Sequence, residues 1–357
     1  MSRAAIRDGK QIPVRSEDNK HLNGSISLAR PGNAPTVAVA PTGSASIATT
    51  GKDGTGEPPL VVRIPSKSGR GEGARFYVAY PDDKARAIEM GSDAAVDAGV
   101  VFPSITTCIG SLDKPALVPW AAGLTADAAE ERLRELQNMD PTSMAEAIDM
   151  LLEPKKGDRN KRSNINVELR AAHKDRKESA AERGTDVHAL CEALEHGTIT
   201  VDDVPEEYLG YVEAYQAFRD EYPGMQFHAT EVTVAGATRN GGYMGTTDGV
   251  VEYNGRWYVL DLKTNDKATV YNTVGQQLAA AANATHIVHA DGTREPMPPI
   301  DGGLAIGLGP DGTHKVFLFD TDAGGSNFAG FENSVGAWQW KRRNSRAVKP
   351  IQPADLD

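Results

Sequence analysis

Hydrophobic residues fill almost every position of two short runs in the C-terminal half of the chain, residues 250–253 and 257–260. Asn254-Gly255 separates the two runs, and this dipeptide is a strong signal for a two-residue β-hairpin turn. The pattern therefore predicts two antiparallel strands joined by a tight turn. Other runs rich in aliphatic and aromatic residues predict further strands at 76–80, 227–234, 285–289, 303–309 and 314–320.

Apolar positions recur with helical spacing at several places before and after this hairpin. In one predicted helix, which begins at Thr185, the buried stripe consists of Val187, Leu190, Cys191 and Leu194. His188 and Glu192 lie four residues apart on an adjoining face, so they can approach one site together. Gly184 is expected to separate this helix from the preceding one. The other helices are predicted at 125–137, 142–152, 164–183, 205–222, 275–283 and 328–343.

Three charged residues of the predicted hairpin form a candidate chemical site. Asp261 and Lys263 lie on one face of their strand, since side chains alternate, and Leu262 between them points into the core. The turn carries Asp248 towards Asp261. Two adjacent carboxylates repel unless a cation joins them, and their hard oxygens suit Mg²⁺ or Mn²⁺. A lysine beside such a cation can orient or deprotonate water, which is the equipment for phosphodiester hydrolysis.

The order of these motifs resembles that of a known family. The pattern D-x12-D-x-K resembles the PD-(D/E)XK nucleases, and Gly-x-x-x-His at 184–188 with a Gln-rich helix from 275 resembles their RecB-like exonuclease branch. Residues 102–122 are similar to the lead-in of phage-encoded members. The resemblance covers about 100–345 and implies a restriction-endonuclease-like α/β fold. In that fold, helices flank a mixed central sheet in α-β-β-β-α-β order.

The resemblance also implies roles for individual residues. The metal would be held by three side chains and one backbone carbonyl, those of His188, Asp248, Asp261 and Leu262. Lys263 would orient the attacking water. Four further residues are expected to support the site without being its main ligands: Gln277, Glu192, Glu231 and Thr264. The chain departs from the family at Ala281, which stands where the glutamine helix usually carries a tyrosine.

Bulk properties exclude several classes of protein. Two cysteines, Cys108 and Cys191, are too few for a disulfide framework or for a four-cysteine iron–sulfur cluster, and both are expected to be buried thiols. No long apolar run and no signal peptide occur, which predicts a cytoplasmic protein without membrane contact, in the bacterial host if phage-encoded. No nucleotide-binding P-loop is present, so a helicase or recombination partner would be a separate polypeptide.

Charge is unevenly distributed along the chain. The formal net charge is −11, yet residues 154–183 carry ten Lys/Arg against five Asp/Glu. A positive segment just before the predicted metal site is what a DNA backbone would contact. A solvated helix face is the alternative explanation of the same run.

Composition divides the chain into two parts. Residues 1–75 are rich in Gly, Pro, Ala, Ser and Thr and are expected to form a flexible arm, in which 60–64 could add an edge strand. Residues 76–357 are expected to form the nuclease domain. It would comprise a helical lead-in at about 100–183 and a catalytic core at about 184–345.

Two other functions remain open from the sequence. Ala281 leaves room for a DNA-binding recombination or packaging factor that has lost turnover. An endonuclease that cuts internally would carry the same site residues as an exonuclease. Linear and covalently closed circular DNA would distinguish these two enzymes.

Overall fold

The computed structural model of the protein describes residues 6–7, 10–11, 60–65, 74–112 and 117–344. The chain divides into two units, Met1–Gly43 and Ser44–Asp357. In the first unit the described residues form two short antiparallel strands, β1 (Ile6–Arg7) and β2 (Lys10–Gln11). All elements described below belong to the second unit.

A small antiparallel sheet comes first in this unit. Its strands are β3 (Val61–Ile64), β4 (Ala74–Val78) and β5 (Val101–Phe102), in that spatial order. The apolar side chains of these strands pack against α1 (Asp83–Met90) and α2 (Ser92–Asp97). The edge strand expected from 60–64 is therefore confirmed. It belongs to a buried core although it falls within the predicted arm, most of which lies outside the described residues.

A seven-stranded mixed sheet forms the centre of the unit. Its strands are β6 (Gln226–Thr238), β7 (Gly241–Tyr253), β8 (Arg256–Thr264), β9 (His286–Val288), β10 (Arg294–Pro296), β11 (Gly302–Leu308) and β12 (His314–Phe319). Their spatial order is β10-β9-β6-β7-β8-β11-β12. Neighbours run antiparallel except β8 and β11, which run parallel.

Helices cover both faces of this sheet, so the expected α/β class with a mixed, helix-flanked sheet is confirmed. The remaining helices are α3 (Ile105–Ile109), α4 (Leu117–Gln137), α5 (Pro141–Leu152), α6 (Asn164–Glu195), α7 (Glu206–Glu221), α8 (Thr273–Ala282) and α9 (Ser326–Arg343), with a 3₁₀ turn at Val201–Asp203. Helices α3, α8 and α9 pack on one face. Helix α7 and the C-terminal part of α6 pack on the other. Among the described residues, no helix is long and apolar enough to cross a membrane.

The hairpin predicted from Asn254-Gly255 is confirmed. Both residues have positive φ, 53° and 74°, as a two-residue turn of type I′ requires. The flanking residues Tyr253 and Arg256 pair with each other, so the turn consists of Asn254 and Gly255 alone. The turn therefore fixes the register of the two strands that carry the predicted site.

The predicted break at Gly184 is wrong, because α6 runs without interruption from Asn164 to Glu195. A single glycine inside a helix costs only about 1 kcal/mol relative to alanine. Packing of the N-terminal part of α6 on α4, and of its C-terminal part on α7 and β8, offsets that cost. Glycine also allows a close approach, since a Cβ at position 184 would lie 3.5 Å from Thr264 Oγ1.

Two predicted helix starts also differ from the structure. Helix α4 begins at Leu117 rather than Thr125, whose hydroxyl donates to the Ala121 carbonyl inside the helix. Helix α5 begins at Pro141, and its cap is Asp140, which accepts hydrogen bonds from two backbone N–H groups. Proline fits the first position of a helix because that N–H would have no intrahelical partner.

Candidate metal centre

The C-terminal part of α6 brings His188 to the edge of the sheet. Val187 and Cys191 are fully buried, and they pack with Leu262 in the core beneath the helix. His188 lies beside this stripe with its side chain 23 % exposed, as the helical pattern predicted. The buried stripe therefore orients the imidazole towards the sheet without including it.

Asp248 lies where β7 and β8 separate. The two strands pair as far as Gly249 and Leu260. Beyond this point Asp248 Oδ2 accepts a hydrogen bond of 2.5 Å from the backbone N–H of Leu262. Its other oxygen, Oδ1, lies 3.4 Å from His188 Nδ1. The carboxylate thus fills the gap between the strands and faces α6.

Glu231 joins this pair from the neighbouring strand. The pairing of β6 with β7 passes from Thr230–Gly249 to Val232–Thr247, so Glu231 and Asp248 lie opposite each other. Glu231 has φ 46°, in the left-handed region that is costly for a residue with a side chain. This conformation turns a strand carboxylate into the site. The sequence predicts only a supporting role for Glu231, whereas the structure places it beside His188 and Asp248.

Ligand atoms of His188, Glu231 and Asp248 all lie within 4.8 Å of one another. Among the described residues, no other group of three or more His, Cys, Asp or Glu side chains is this close. Two carboxylate oxygens and one imidazole nitrogen suit a hard or borderline divalent cation such as Mg²⁺ or Mn²⁺. The donor set therefore fits the metal that the sequence predicted.

Asp261 and Lys263 share one face of β8, as the alternation predicted, and Leu262 between them is buried in the opposite core. Asp261 is itself only 2 % exposed. Lys263 Nζ lies 2.5 Å from Asp261 Oδ2, and Gln277 on α8 donates a hydrogen bond of 2.6 Å to Oδ1. Oδ1 therefore accepts a hydrogen bond, whereas the buried Oδ2 has only the ion pair with Lys263 and no hydrogen bond, and Asp261 lies outside the three-residue group.

Burial and crowding shift the proton affinities of this site. Burial would lower the pKa of His188, but the adjacent Asp248 carboxylate outweighs it and raises that pKa to about 9. Burial and the charge of Asp248 raise the pKa of Glu231 to about 8. Burial opposes ionisation of Asp248, yet His188 and Lys263 hold its pKa below the usual value. Burial raises the pKa of Asp261 despite Lys263.

These shifts describe a site with too little positive charge. Asp261 is buried and Glu231 and Asp248 are half-buried, and the three carboxylates share one lysine and one histidine, so the pKa values of Glu231 and Asp261 are raised. A cation placed among them would favour the ionised form of each. The electrostatics therefore agree with the donor geometry.

The other predicted residues surround this centre. Glu192 accepts a hydrogen bond from Thr230 at 3.3 Å and lines the same small cavity as His188 and Glu231. Thr264 follows Lys263 and faces Gly184 of α6. Ala281, the position of the expected tyrosine, is buried in the core beneath α8.

Comparisons with known proteins leave the function open. No family model matches this chain, and no curated protein is similar to it. Among solved structures, it is similar to the protein described as "Crystal structure of SSO0001", with 13% sequence identity and a TM-score of 0.23. The similarity covers 38% of this chain and 58% of that one, so this chain spans little more than half the length of that protein. A likeness this weak carries no argument, and function has to be inferred from the site.

Proposed function

We propose that this protein is a metal-dependent DNA nuclease with a PD-(D/E)XK site of the RecB-like type, acting as an exonuclease. The observation that carries the proposal is the convergence of the half-buried side chains of His188, Glu231 and Asp248 beside the Asp261–Lys263 pair. A simple structural ion pair would need neither a third carboxylate nor a strained backbone at Glu231.

The arrangement of elements supports the restriction-endonuclease-like fold. A long helix that carries His188 precedes three antiparallel strands, β6, β7 and β8. Helix α8, which carries Gln277, then crosses the sheet face before β11 returns parallel to β8. This succession follows the α-β-β-β-α-β order, with α7 and the short β9–β10 hairpin as additions.

The residues divide the chemistry among them. His188, Glu231 and Asp248 would hold the cation, with Asp261 and the Leu262 carbonyl next to them. A divalent cation in such a site supplies Lewis-acid activation of a phosphodiester and of water. Lys263 carries a positive charge on the same side, where it offsets negative charge that develops on the phosphate. Gln277 holds Asp261 in position through its hydrogen bond.

Cleavage assays on defined DNA test this proposal. We expect degradation of linear DNA with Mn²⁺ at least as fast as with Mg²⁺, because a histidine ligand favours the softer ion. We expect none with EDTA and none on covalently closed circles. Asp248→Asn should abolish cleavage, whereas Glu295→Gln, a matched change on the distant strand β10, should not.

Each other outcome points to a different function. Cleavage of the closed circle would identify an endonuclease. Metal-dependent DNA binding without cleavage in any of these ions would identify a binding factor of the same fold. The buried Ala281 is the feature that favours this second candidate, since the position lacks the family's polar aromatic side chain.

A further inference from the structure

Helix α6 connects the metal centre to a stretch of its own residues that are exposed to solvent. Its N-terminal part packs on α4, and its C-terminal part packs on α7 and β8. Between these contacts every residue from 176 to 182 is exposed. A helix that is polar all round and contacts solvent in this way commonly bridges two packed parts. Its exposed faces are therefore available to a ligand.

Basic residues line the face of α6 that leads to His188. Gly184 lies four residues before His188, and Lys177 lies seven residues before Gly184. Lys174 and Arg170 lie three and seven residues before Lys177. Residues at these separations share one face of an α-helix. Arg170, Lys174 and Lys177 are all exposed. This shared face exists only because α6 continues through Gly184, where the sequence predicted a break.

Contacts at Gly184 show where this face points. A Cβ at Gly184 would lie 3.5 Å from the Thr264 hydroxyl, one residue beyond Lys263. The face therefore meets the sheet at the end of β8 that carries the site. From there the face continues away from the sheet and carries Arg170, Lys174 and Lys177, which we call the basic stripe.

Three acidic residues between Lys177 and His188 lie on a different face of α6. Glu178, Glu182 and Asp186 are spaced four apart and form a second stripe. Glu178 approaches Lys174 to 3.4 Å, but both side chains are more than half exposed. Such surface pairs contribute little to stability, so the lysine can exchange this partner for a phosphate. In a chain of net charge −11, this separation of charge gives α6 one face that attracts an anion.

The length of the stripe sets the size of that anion. Arg170 and His188 are eighteen residues apart, which at 1.5 Å per residue is about 27 Å along the axis. One strand of a DNA duplex carries a phosphate about every 3.4 Å, so this distance spans about eight phosphates. A mononucleotide or a small phosphate ester could not reach from the metal centre to Arg170.

We propose that Arg170, Lys174 and Lys177 form a phosphate track that holds the backbone of a nucleic acid strand entering the metal centre. The inference rests on the proposed nuclease function and adds the substrate class, a polynucleotide backbone that spans the track, which in a duplex strand is about eight nucleotides. Such a track binds the backbone independently of base sequence.

Salt-dependent DNA binding tests the track. The probe is a fluorescent duplex of about twenty base pairs in Ca²⁺, and the variants are Lys177→Gln and the triple change of Arg170, Lys174 and Lys177 to Gln. Each phosphate contact contributes about 0.9 to the slope of log affinity against log salt. We expect that slope to fall by about 1 in Lys177→Gln and by about 3 in the triple variant.

Arg176→Gln is the matched control, because Arg176 is adjacent to Lys177 in sequence but lies on another face. It should leave the slope unchanged. Glutamine has nearly the helix propensity of lysine and arginine, so circular dichroism should show α6 intact in every variant.

Two results would overturn the track. One is an unchanged slope in the triple variant of a protein whose wild type binds and cleaves DNA, which would leave the nuclease proposal standing. The other is an equal loss in Arg176→Gln and Lys177→Gln, which would reduce the effect to net charge. A wild type that neither binds nor cleaves DNA would remove the proposed function as well.

Discussion

Replacing Glu231 with glutamine should stabilise the metal-free protein at alkaline pH and weaken its binding of metal. Burial and the charge of Asp248 raise the pKa of Glu231 from 4.5 to about 8. At 1.36 kcal/mol per pKa unit, ionising this buried carboxylate costs up to about 5 kcal/mol of folding free energy. Glutamine removes that cost but also removes the attraction to His188. We therefore expect a net stabilisation of about 1–3 kcal/mol.

The sign of the pH dependence follows from the two raised pKa values. The loss of folding free energy from ionising Glu231 is absent below its unfolded pKa near 4.5 and complete above its folded pKa near 8. His188 contributes stability that is complete below its unfolded pKa near 6.5 and is lost as pH rises through about 9. Both groups make the metal-free wild type less stable as pH rises. Glu231→Gln removes the Glu231 part of this slope.

Urea unfolding in EDTA at about pH 5 and about pH 8 measures this effect. The variant should be the more stable protein at the higher pH and nearly equal to wild type at the lower. Mn²⁺ at about a hundred times its dissociation constant should add about 2.7 kcal/mol to wild type. It should add clearly less to the variant, which has lost one ligand.

Glu192→Gln is the matched control, since Glu192 lines the same cavity but lies outside the three-residue group. It should keep the full stabilisation by Mn²⁺. A Glu231→Gln protein that is less stable than wild type in EDTA at about pH 8 would refute the electrostatic argument. An undiminished gain with Mn²⁺ would remove Glu231 from the metal centre.

Three further predictions follow from the site and the core. Lys263→Met should abolish cleavage but retain Mn²⁺ binding measured by calorimetry, because Lys263 contacts Asp261 rather than the three-residue group. Turnover at the wild-type rate in this variant would contradict the proposed role of Lys263. His188→Ala should raise the Mn²⁺ concentration needed for cleavage, with rescue by excess metal; a lower melting temperature with unchanged metal dependence would make His188 purely structural. Deletion of residues 1–55 should leave the melting temperature unchanged, whereas deletion of residues 1–70 removes β3 and should lower it. Equal melting temperatures of the two truncated proteins would exclude β3 from the core.

Signals within a few consecutive residues determined much of the site. Asn254-Gly255 specified the turn because only a few residue types accept positive φ at both positions. The alternation of a strand placed Leu262 in the core and Asp261 with Lys263 on the other face. The helical stripe left His188 at its edge. Each of these outcomes depends on local geometry, which the sequence encodes directly.

Contacts between residues far apart in the chain decided the rest. Glu231 approaches His188 and Asp248 through a left-handed backbone conformation that has no local sequence signal, and the surrounding strands and α6 must stabilise it. Asp261 loses its exposure because Gln277, sixteen residues later, covers and binds it. The continuity of α6 through Gly184 depends on packing at both ends.

The sequence by itself therefore identified most of the candidate site residues and the face of their own element on which they lie. Only the tertiary structure decided which of them share one centre, and that the basic stripe of α6 is in phase with His188. The physical reason is the difference in range. Side-chain periodicity is a property of one element, whereas ligand grouping and helix continuity depend on the packing of several elements.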